Sequence, residues 1–319
     1  MLDATQLNCA RLCLAQFAFE YGYGLRPKAA AVDLHAGGAF AAGRAAAYEA
    51  GRVSIPEVRE GQTTVWTFAN PIDAAREAFN ASWGDFELPA ESKSPKTKQQ
   101  SWKALASYLK RYGVGQDSIQ PYPLRDGKSP FEWSFAIELT EAETGLSDWP
   151  LHPSGLPFLY AGKLDQVGLF NGQIPVVLDD KTTAKFLGES VWIAGIRTRA
   201  QFIGYVWAMQ KLVDPACDSV VVRQTAIYKE AVDHRESPMI SYPRHVVQSW
   251  LETTRDTVRR IVAADKLGSW PAVLSDACVS WYRPCSYLEP CMAKEPEAHF
   301  DSFDVRRWNP LSEPQGDAA

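Results

Sequence analysis

The sequence predicts an α/β fold in which a mixed central sheet is flanked by helices, with a helical insertion and a cysteine-rich C-terminal segment. Two observations support this fold class. Segments with the apolar period of helices alternate along the chain with short runs rich in β-branched and aromatic residues, which are typical of strands. The dipeptide Asn171-Gly172 separates two such runs, and Asn-Gly between apolar segments is a strong signal for a β-hairpin. The predicted core order is α-β-β-β-α-β.

Five regions follow from this pattern. Residues 1–50 hold a cysteine-bearing helix and the first core helix, 51–130 a helical insertion, 131–230 the core sheet, 231–310 a long helix and a cysteine-bearing segment, and 311–319 a disordered tail. Helices are predicted at 4–23, 37–50, 70–82, 98–112, about 201–212 and 243–265. Strands are predicted at 131–139, 158–170, 174–178 and 220–228.

Length and composition fit one large folded domain, or a core with an inserted subdomain. The chain has 319 residues, of which 46% are hydrophobic, enough for a substantial core. No stretch is apolar enough to span a membrane, and the first residues lack the layout of a secretory signal, so a cytoplasmic protein without membrane contact is expected. In that compartment cysteines are thiols or metal ligands more often than disulfides. The net charge of −5 argues against a generally basic DNA-coating protein.

The hairpin carries the residues that point to chemistry. Asp165 lies on its first strand, and Asp179 and Lys181 lie at the end of its second. Because side chains alternate faces along a strand, Asp179 and Lys181 share a face and Asp180 points the other way. A strict two-residue turn would leave Asp165 and Asp179 on opposite faces. An odd loop or a bulge is therefore predicted, because it brings the two carboxylates together.

Two carboxylates and a lysine can hold a divalent cation beside an attacking water. Hard oxygen ligands suit Mg²⁺ or Mn²⁺, which polarises a phosphoryl oxygen and activates water. The Lys181 ammonium can orient the water or stabilise charge in the transition state. A short D-x-K tripeptide is also what a strand end with solvated charges looks like, so the motif needs independent support.

Two further features supply that support. Gln201 and Tyr205 are four residues apart, so they lie on one face of a helix, although an ordinary core helix would show the same spacing. The cysteines form two groups, at the two ends of the chain. Thiolates from both ends can share one metal or cluster; the positions are Cys9 and Cys13, then Cys278, Cys285 and Cys291.

In combination these residues resemble the RecB-like branch of the PD-(D/E)XK nuclease superfamily, which includes CRISPR-associated RecB-like exonucleases and many phage exonucleases. The family pattern is G-x-x-D, (D/E)-x-K-T and Q-x-x-x-Y in this order. Gly162 to Asp165, Asp179 to Thr182 and Gln201 to Tyr205 match it, and the resemblance covers roughly residues 5–50 and 130–295. Members with an iron–sulfur cluster add one cysteine before the core and three after it.

The resemblance implies a restriction-endonuclease-like core over 131–230 and a role for each matched residue. Asp165, Asp179 and the backbone carbonyl of Asp180 would bind Mg²⁺ or Mn²⁺. Lys181 would position the water, and Gln201 and Tyr205 would orient the phosphate and the lysine. A structural 4Fe–4S cluster, or alternatively Zn²⁺, would be bound by the cysteines that match the family pattern, which are Cys13, Cys278, Cys285 and Cys291.

The sequence departs from the family in two places. Many relatives carry a metal-binding histidine on the first core helix, where this chain has alanines, and His35 lies too early to replace it. Glu132, Glu138 and Glu49 are candidates for the missing ligand, although a solvated glutamate is the alternative for each. Cys278 and Cys285 are also separated by six residues, against two in the tighter branches.

Positive charge is concentrated between Ser92 and Gln116, where no acidic residue occurs. Cations there can contact phosphates while aromatics stack on bases, or the stretch is a linker followed by an amphipathic helix. The predicted DNA contacts are Lys96, Lys98 and Lys103 here, and Arg197 and Arg199 ahead of the Gln201 helix. Trp102, Tyr108 and Tyr112 are the interleaved aromatics.

The resemblance therefore implies a Mg²⁺- or Mn²⁺-dependent exonuclease acting on DNA ends or single strands, in a bacterial or phage-infected cell. Its partners would be DNA and possible further copies of the chain or a recombination, repair or CRISPR protein. Two alternatives remain open at this point. One is a nuclease-fold DNA-binding protein with weak or no turnover, and the other is a zinc-stabilised structural protein in which the D-x-K is incidental.

Overall fold

The computed structural model describes residues 1–28, 32–51, 70–90, 92–113, 117–125, 127–275, 278–280 and 283–311. Much of the predicted 51–130 insertion is included as two helices, but 52–69 lies outside the described residues. The tail predicted to be disordered lies outside them as well, except for Leu311.

The helices begin and end close to the predicted positions. They are α1 (Ala4–Leu12), α2 (Leu14–Phe17) with a π-helical turn (Ala18–Gly22), α3 (Val32–Ala50), α4 (Pro71–Trp83), α5 (Lys98–Arg111), α6 (Glu141–Thr144), α7 (Glu189–Thr198), α8 (Ala200–Leu212), α9 (Arg244–Leu267) and α10 (Leu288–Met292), followed by a 3₁₀ turn (Pro296–Ser302). The helix predicted for 4–23 is interrupted at Cys13, whose backbone is extended and whose Sγ accepts the Gln16 amide at the start of α2.

A seven-stranded mixed sheet forms the centre of the protein. Its strands are β2 (Ile119–Pro121), β3 (Phe131–Glu138), β4 (Leu159–Phe170), β5 (Ile174–Thr183), β6 (Ser219–Ile227), β7 (Val232–Glu236) and β8 (Ile240–Ser241). Their order is β2-β4-β5-β6-β7, with β3 also paired to β4 and β8 to β6. Strands β5 and β6 are parallel, as the helical crossover between them requires, and the other pairs are antiparallel.

Helices cover both faces of this sheet. The face that we call the α8 face packs against α8, and its core continues into α1 and α9. The opposite face, called the α3 face, packs against α3 and α5, with α4 behind them. The fold is therefore a mixed α/β fold with a helix-flanked sheet, as predicted.

The hairpin connection has the odd length that the two aspartates need. Phe170 pairs with Ile174, so the loop is the three residues Asn171, Gly172 and Gln173. Asn171 and Gly172 have φ of +49° and +71°, the left-handed backbone that Asn and Gly tolerate best. The prediction of an odd loop is confirmed.

The two ends of the chain meet beside the core. Strand β1 (Leu25–Pro27) pairs with β11 (Phe303–Val305), and β9 (Val279–Ser280) forms a short hairpin with β10 (Arg283–Pro284). The Trp308 indole also donates to the Asp3 carboxylate at 2.6 Å. Backbone pairing thus joins the segments that carry the predicted cysteine ligands.

Several further features differ from the sequence-based prediction, including strand β2, which lies within the predicted helical insertion. Helix α7 was not predicted, and β5 extends to Thr183 rather than ending at Leu178. The sheet also continues beyond β6, because β7 and β8 pair along its outer edge.

Among the helices that the structure describes, none is long and apolar enough to cross a membrane.

Candidate active site and cysteine cavity

The central sheet opens at the level of Asp165. Pairing between β4 and β5 ends at Gln166–Leu178, one residue before Asp165 and Asp179. Beyond that point β4 remains paired with β3, and β5 remains paired with β6. The two strands separate there, so their aspartates lie on either side of a split in the sheet.

The alternation of faces is interrupted at the same level. Leu164 and Val167 both belong to the core of the α8 face, although residues three apart in a regular strand face opposite ways. In β3, Trp133 packs into the α8-face core but Phe131 packs into the α3-face core. Between them Glu132 has a φ of +48°, a conformation that L residues with side chains rarely adopt. Such local strain is common beside functional sites.

The two aspartates are linked through the backbone of β5. The Asp165 carboxylate accepts the Asp180 amide at 2.6 Å, and the Asp179 carboxylate accepts the Lys181 ammonium at 2.8 Å. Asp179 is 1% exposed, and its second oxygen, Oδ2, has no hydrogen-bond partner within the described residues. A buried carboxylate oxygen without a partner costs free energy. A bound cation would supply the missing partner.

The pKa values reflect the same crowding. Burial raises the pKa of Asp179, Lys181 opposes that rise, and the charge of Asp165 adds to it. Burial likewise raises the pKa of Glu132, with Asp165 adding to the rise and Arg44 opposing it. For Lys181, burial favours the neutral amine, but the two aspartates outweigh burial and raise its pKa. Lys181 is therefore a cation held by carboxylates.

Asp180 points to the α3 face, as its place between Asp179 and Lys181 predicts. Its carboxylate forms an ion pair with Arg44 of α3 at 2.9 Å. Arg44 is fully buried, and it also donates to the Asp165 carbonyl at 2.5 Å. The side chain of Asp180 is thus engaged on one face of the sheet.

Gln201 and Tyr205 contact each other and lie next to the aspartates. The Gln201 amide donates to the Tyr205 hydroxyl at 2.9 Å. Burial raises the pKa of Tyr205, and the charge of Asp179 is the next cause. Gly162 explains how the tyrosine reaches β4, because a Cβ there would lie 3.2 Å from the Tyr205 ring and 2.9 Å from the Phe135 ring.

The donor set fits a hard divalent cation. Mg²⁺ usually takes one or two protein carboxylates and fills its other positions with water and substrate oxygens. Within the described residues, no group of three or more His, Cys, Asp or Glu side chains is arranged to hold a metal ion. Asp165, Asp179 and the Asp180 carbonyl supply oxygen donors, and two carboxylates are within the number that Mg²⁺ usually takes from a protein.

The candidates for an additional ligand are placed differently. Glu132 lies beside the site, 3.7 Å from Arg44 and 3.9 Å from Lys163. Glu49 accepts a hydrogen bond from Ser129, and Glu138 lies exposed at the far end of β3. His35 is 3.0 Å from the Trp83 carbonyl and stacks on Phe86, so it does not face the aspartates.

The four predicted cysteine ligands line one cavity of about 50 Å³. It lies between the start of the chain and the C-terminal segment, and Cys13, Cys278, Cys285 and Cys291 all border it. The long spacing between Cys278 and Cys285 is closed by the β9–β10 hairpin, since the Cys285 amide donates to the Cys278 carbonyl at 2.7 Å. Cys9 and Cys217 are buried and are not among the lining residues.

The thiols also affect one another electrostatically. Burial raises the pKa of Cys291, and the charges of the other three cavity cysteines add to it. Burial raises the pKa of Cys285 in the same way, with Cys13 and Cys278 contributing. A bound cationic centre would reverse that effect by stabilising the thiolates.

The predicted DNA contacts are only partly available. Lys96 is a correction: it is 2% exposed, donates to Thr182 at 3.2 Å and pairs with Asp33 at 2.9 Å. A phosphate could not reach its ammonium without displacing those contacts. The other four side chains are exposed, and they are Lys98, Lys103, Arg197 and Arg199.

The interleaved aromatic side chains pack into the hydrophobic core. This favours the interpretation of the stretch from Ser92 to Gln116 as a linker followed by an amphipathic helix. Tyr108 and Tyr112 are buried in the α3-face core, and Trp102 packs against Phe79 at a centroid distance of 5.6 Å. Bases therefore cannot stack on Tyr108 or Tyr112, and of the two alternatives for this stretch the structure favours the amphipathic helix. The apolar face of α5 packs into the α3-face core instead.

Arg44 is the residue at the site that was not predicted. A signal for it exists, because it is the one charged residue between Gly37 and Tyr48, in a run of small side chains. A charge in an otherwise apolar helix needs a buried partner. The partner, Asp180, is recognisable only once the sheet is known.

Comparisons with known proteins add little. No family model matches the chain, and no curated protein matches it. Among solved structures, the chain is similar to one titled "Crystal structure of SSO0001", with 12% identity and a TM-score of 0.26. That match covers 50% of this chain and 59% of the other, which is less than two thirds of its length. A likeness this low carries no argument, so function must be inferred from the residues themselves.

Proposed function

We propose that the protein is a Mg²⁺- or Mn²⁺-dependent DNA exonuclease of the RecB-like PD-(D/E)XK type. The observation that supports this most is the position of Asp165 and Asp179 on either side of the split between β4 and β5, with Lys181 paired to Asp179. The core would be the restriction-endonuclease-like set α3, β3, β4, β5, α8 and β6, which follows the expected order.

Each residue has a distinct role in this proposal. Asp165, Asp179 and the Asp180 carbonyl would hold the cation, which polarises the phosphoryl oxygen and activates water. Lys181, held next to Asp179, would orient the water and offset negative charge on the phosphoryl group in the transition state. The water oxygen forms the new bond to phosphorus as the bond to the leaving deoxyribose oxygen breaks, and that oxygen takes up a proton.

Gln201 and Tyr205 would orient these groups from the α8 side. Their mutual hydrogen bond fixes the tyrosine hydroxyl beside Asp179, and the Tyr205 ring packs on Gly162. Lys181 also lies near Arg199, whose charge opposes the rise in the lysine pKa. Arg199 is exposed and close to the reaction site, so it is the stronger of the two α7–α8 candidates for a DNA phosphate contact.

DNA ends are the proposed substrate, and cleavage assays on closed and open DNA test this. Wild-type protein with Mn²⁺ should degrade end-labelled linear DNA and spare covalently closed circles, while Asp179→Asn and Lys181→Ala should lose at least about 100-fold in rate. Lys110→Ala, which changes an exposed lysine of α5, is the matched control and should cleave like wild type. Inert wild-type protein that still binds DNA would replace the proposal with a binding function.

We further propose that the cysteine cavity holds a structural 4Fe–4S cluster that joins the two ends of the chain. It is supported by four thiols, one from the start of the chain and three from its C-terminal segment, around one cavity. A mononuclear zinc site needs four sulfurs at about 2.3 Å from one centre. Anaerobic protein with visible absorbance and iron supports the cluster, and colourless protein with one equivalent of zinc supports the alternative.

A further inference from the structure

Arg44 makes an arrangement that the proposed reaction does not use directly. It extends from α3 between β3, β4 and β5 and is fully buried. Burying a guanidinium costs free energy unless it is paired with an opposite charge and its N–H groups are hydrogen-bonded. Burial acts most strongly and lowers the pKa of Arg44, but the surrounding groups, with Asp180 first and Asp165 and Glu132 among the others, together outweigh it and raise the pKa, so the side chain is a permanent cation.

Arg44 contacts atoms of Asp165 and Asp180 that the proposed cation would not use. Arg44 donates to the backbone carbonyl of Asp165 at 2.5 Å, and it pairs with the side-chain carboxylate of Asp180 at 2.9 Å. The proposed cation would use the opposite atoms, which are the Asp165 carboxylate and the Asp180 carbonyl. Arg44 therefore engages both residues without occupying the groups that would bind metal.

We propose that Arg44 is a positioning residue for the metal site. One planar fork spans the split in the sheet, because it contacts β4 through Asp165 and β5 through Asp180. Rotation of the Asp165 peptide would break the contact to its carbonyl, and displacement of Asp180 would break the ion pair with its carboxylate, so the fork restrains both residues that would bind the cation. This inference rests on the proposed metal site and adds to it a residue on α3.

Arg44 could instead only neutralise the buried Asp180. The two possibilities differ in their response to a paired substitution. If neutralisation is the whole role, Arg44→Met combined with Asp180→Asn removes both charges and restores a normal site. If the fork positions Asp165, the double variant regains stability but not metal affinity, because nothing then holds the Asp165 carbonyl.

The readout is Mn²⁺ affinity, measured by electron paramagnetic resonance of free Mn²⁺ without DNA. Outer residues that orient metal ligands typically account for about 10–100-fold in affinity. Arg44→Lys, which keeps the charge but loses the fork, and the Arg44→Met/Asp180→Asn double variant should both weaken binding by that factor. Arg44→Lys serves where the double variant does not fold, as judged by thermal unfolding.

Arg223→Lys is the matched control. Arg223 is also buried on the α3 face, and it pairs with Asp117 at 2.5 Å. Its replacement should lower stability and leave the Mn²⁺ affinity unchanged. Wild-type affinity in Arg44→Lys or in the double variant would overturn the positioning role alone. Wild-type protein that binds no Mn²⁺ would overturn the metal site itself, and the positioning role with it.

Discussion

Gly162 lies directly against Tyr205, and this contact joins two of the three sequence motifs in space. A Cβ at Gly162 would lie 3.2 Å from the tyrosine ring and about as close to Phe135. The glycine of G-x-x-D is therefore explained by the close approach of α8 to β4. The contact places the Tyr205 hydroxyl, held by Gln201, beside the aspartates.

Gly162→Ala should move Tyr205 away from β4. Overpacking of this kind typically costs about 1–3 kcal/mol of stability, and here it should also slow DNA cleavage. Gly168→Ala is the control, because Gly168 lies in the same strand as Gly162 but away from the site. Its Cβ would lie 2.5 Å from the Ile119 side chain. Chemical denaturation and cleavage rates should show similar stability losses in both variants, with an activity loss in Gly162→Ala alone. Equal activities would argue against a functional role for the contact.

Tyr205→Phe should reduce cleavage by about tenfold or more while changing stability little, because it removes the hydroxyl that Gln201 fixes beside Asp179. The matched control is Tyr160→Phe, whose hydroxyl is buried and has no partner within the described residues. Losing an unsatisfied hydroxyl should leave stability unchanged or raise it. Steady-state cleavage and thermal unfolding of the two variants make the comparison, and a fully active Tyr205→Phe would remove the tyrosine from the site.

Metal binding should depend on pH through Asp179. Burial raises its pKa, so the folded protein holds the proton above the ordinary range of an aspartate. In EDTA, this group makes stability fall as pH rises through that window, because the folded state binds more protons than the unfolded state. Mn²⁺ needs the carboxylate, so the metal-induced rise in melting temperature should be larger at about pH 8 than at about pH 6.

Asp179→Asn is the reference for that measurement. It cannot titrate, so the part of the pH dependence of metal-free stability that Asp179 contributes should disappear, while the part from Glu132 remains. The rise in melting temperature that Mn²⁺ causes should be lost as well. A rise equal to that of wild type would mean that Mn²⁺ stabilises the protein elsewhere.

Cys285→Ser should release the metal cofactor of the cysteine cavity and lower the stability of the joined chain ends. Cys217→Ser is the control, because Cys217 is buried in the α8-face core and does not line the cavity. Iron and zinc content, visible absorbance and melting temperature should separate the two variants. The control should lose stability alone, whereas a Cys285→Ser protein with its full metal content would exclude the cavity as the binding site.

The sheet and most helices follow from local signals. Asn171-Gly172 and the need for convergent aspartates predicted the odd hairpin loop, and the apolar stripe of α5 predicted its packing. Helix α7 and the outer strands β7 and β8 were missed, since short or mixed segments depend on tertiary contacts. The interruption at Glu132 and Asp165 has no local sequence signal, because it arises where three strands separate.

In the candidate active site, too, some features have a local sequence signal and others depend on the fold. Spacing placed Asp179 and Lys181 on one face, but nothing local shows that Arg44 reaches Asp180, or that Lys96 is buried against Thr182. Both contacts join residues more than 80 positions apart. The four predicted cysteine ligands line one cavity, while the hairpin that brings Cys278 and Cys285 together became evident only in the fold.

The most direct test of a shared cation is anomalous diffraction from crystals soaked in Mn²⁺. We expect one strong peak between β4 and β5, bonded at about 2.1 Å to an oxygen of Asp165 and an oxygen of Asp179, and absent in Asp179→Asn crystals. A peak bound by one aspartate alone, or no peak at this split in the sheet, would contradict the proposed active site.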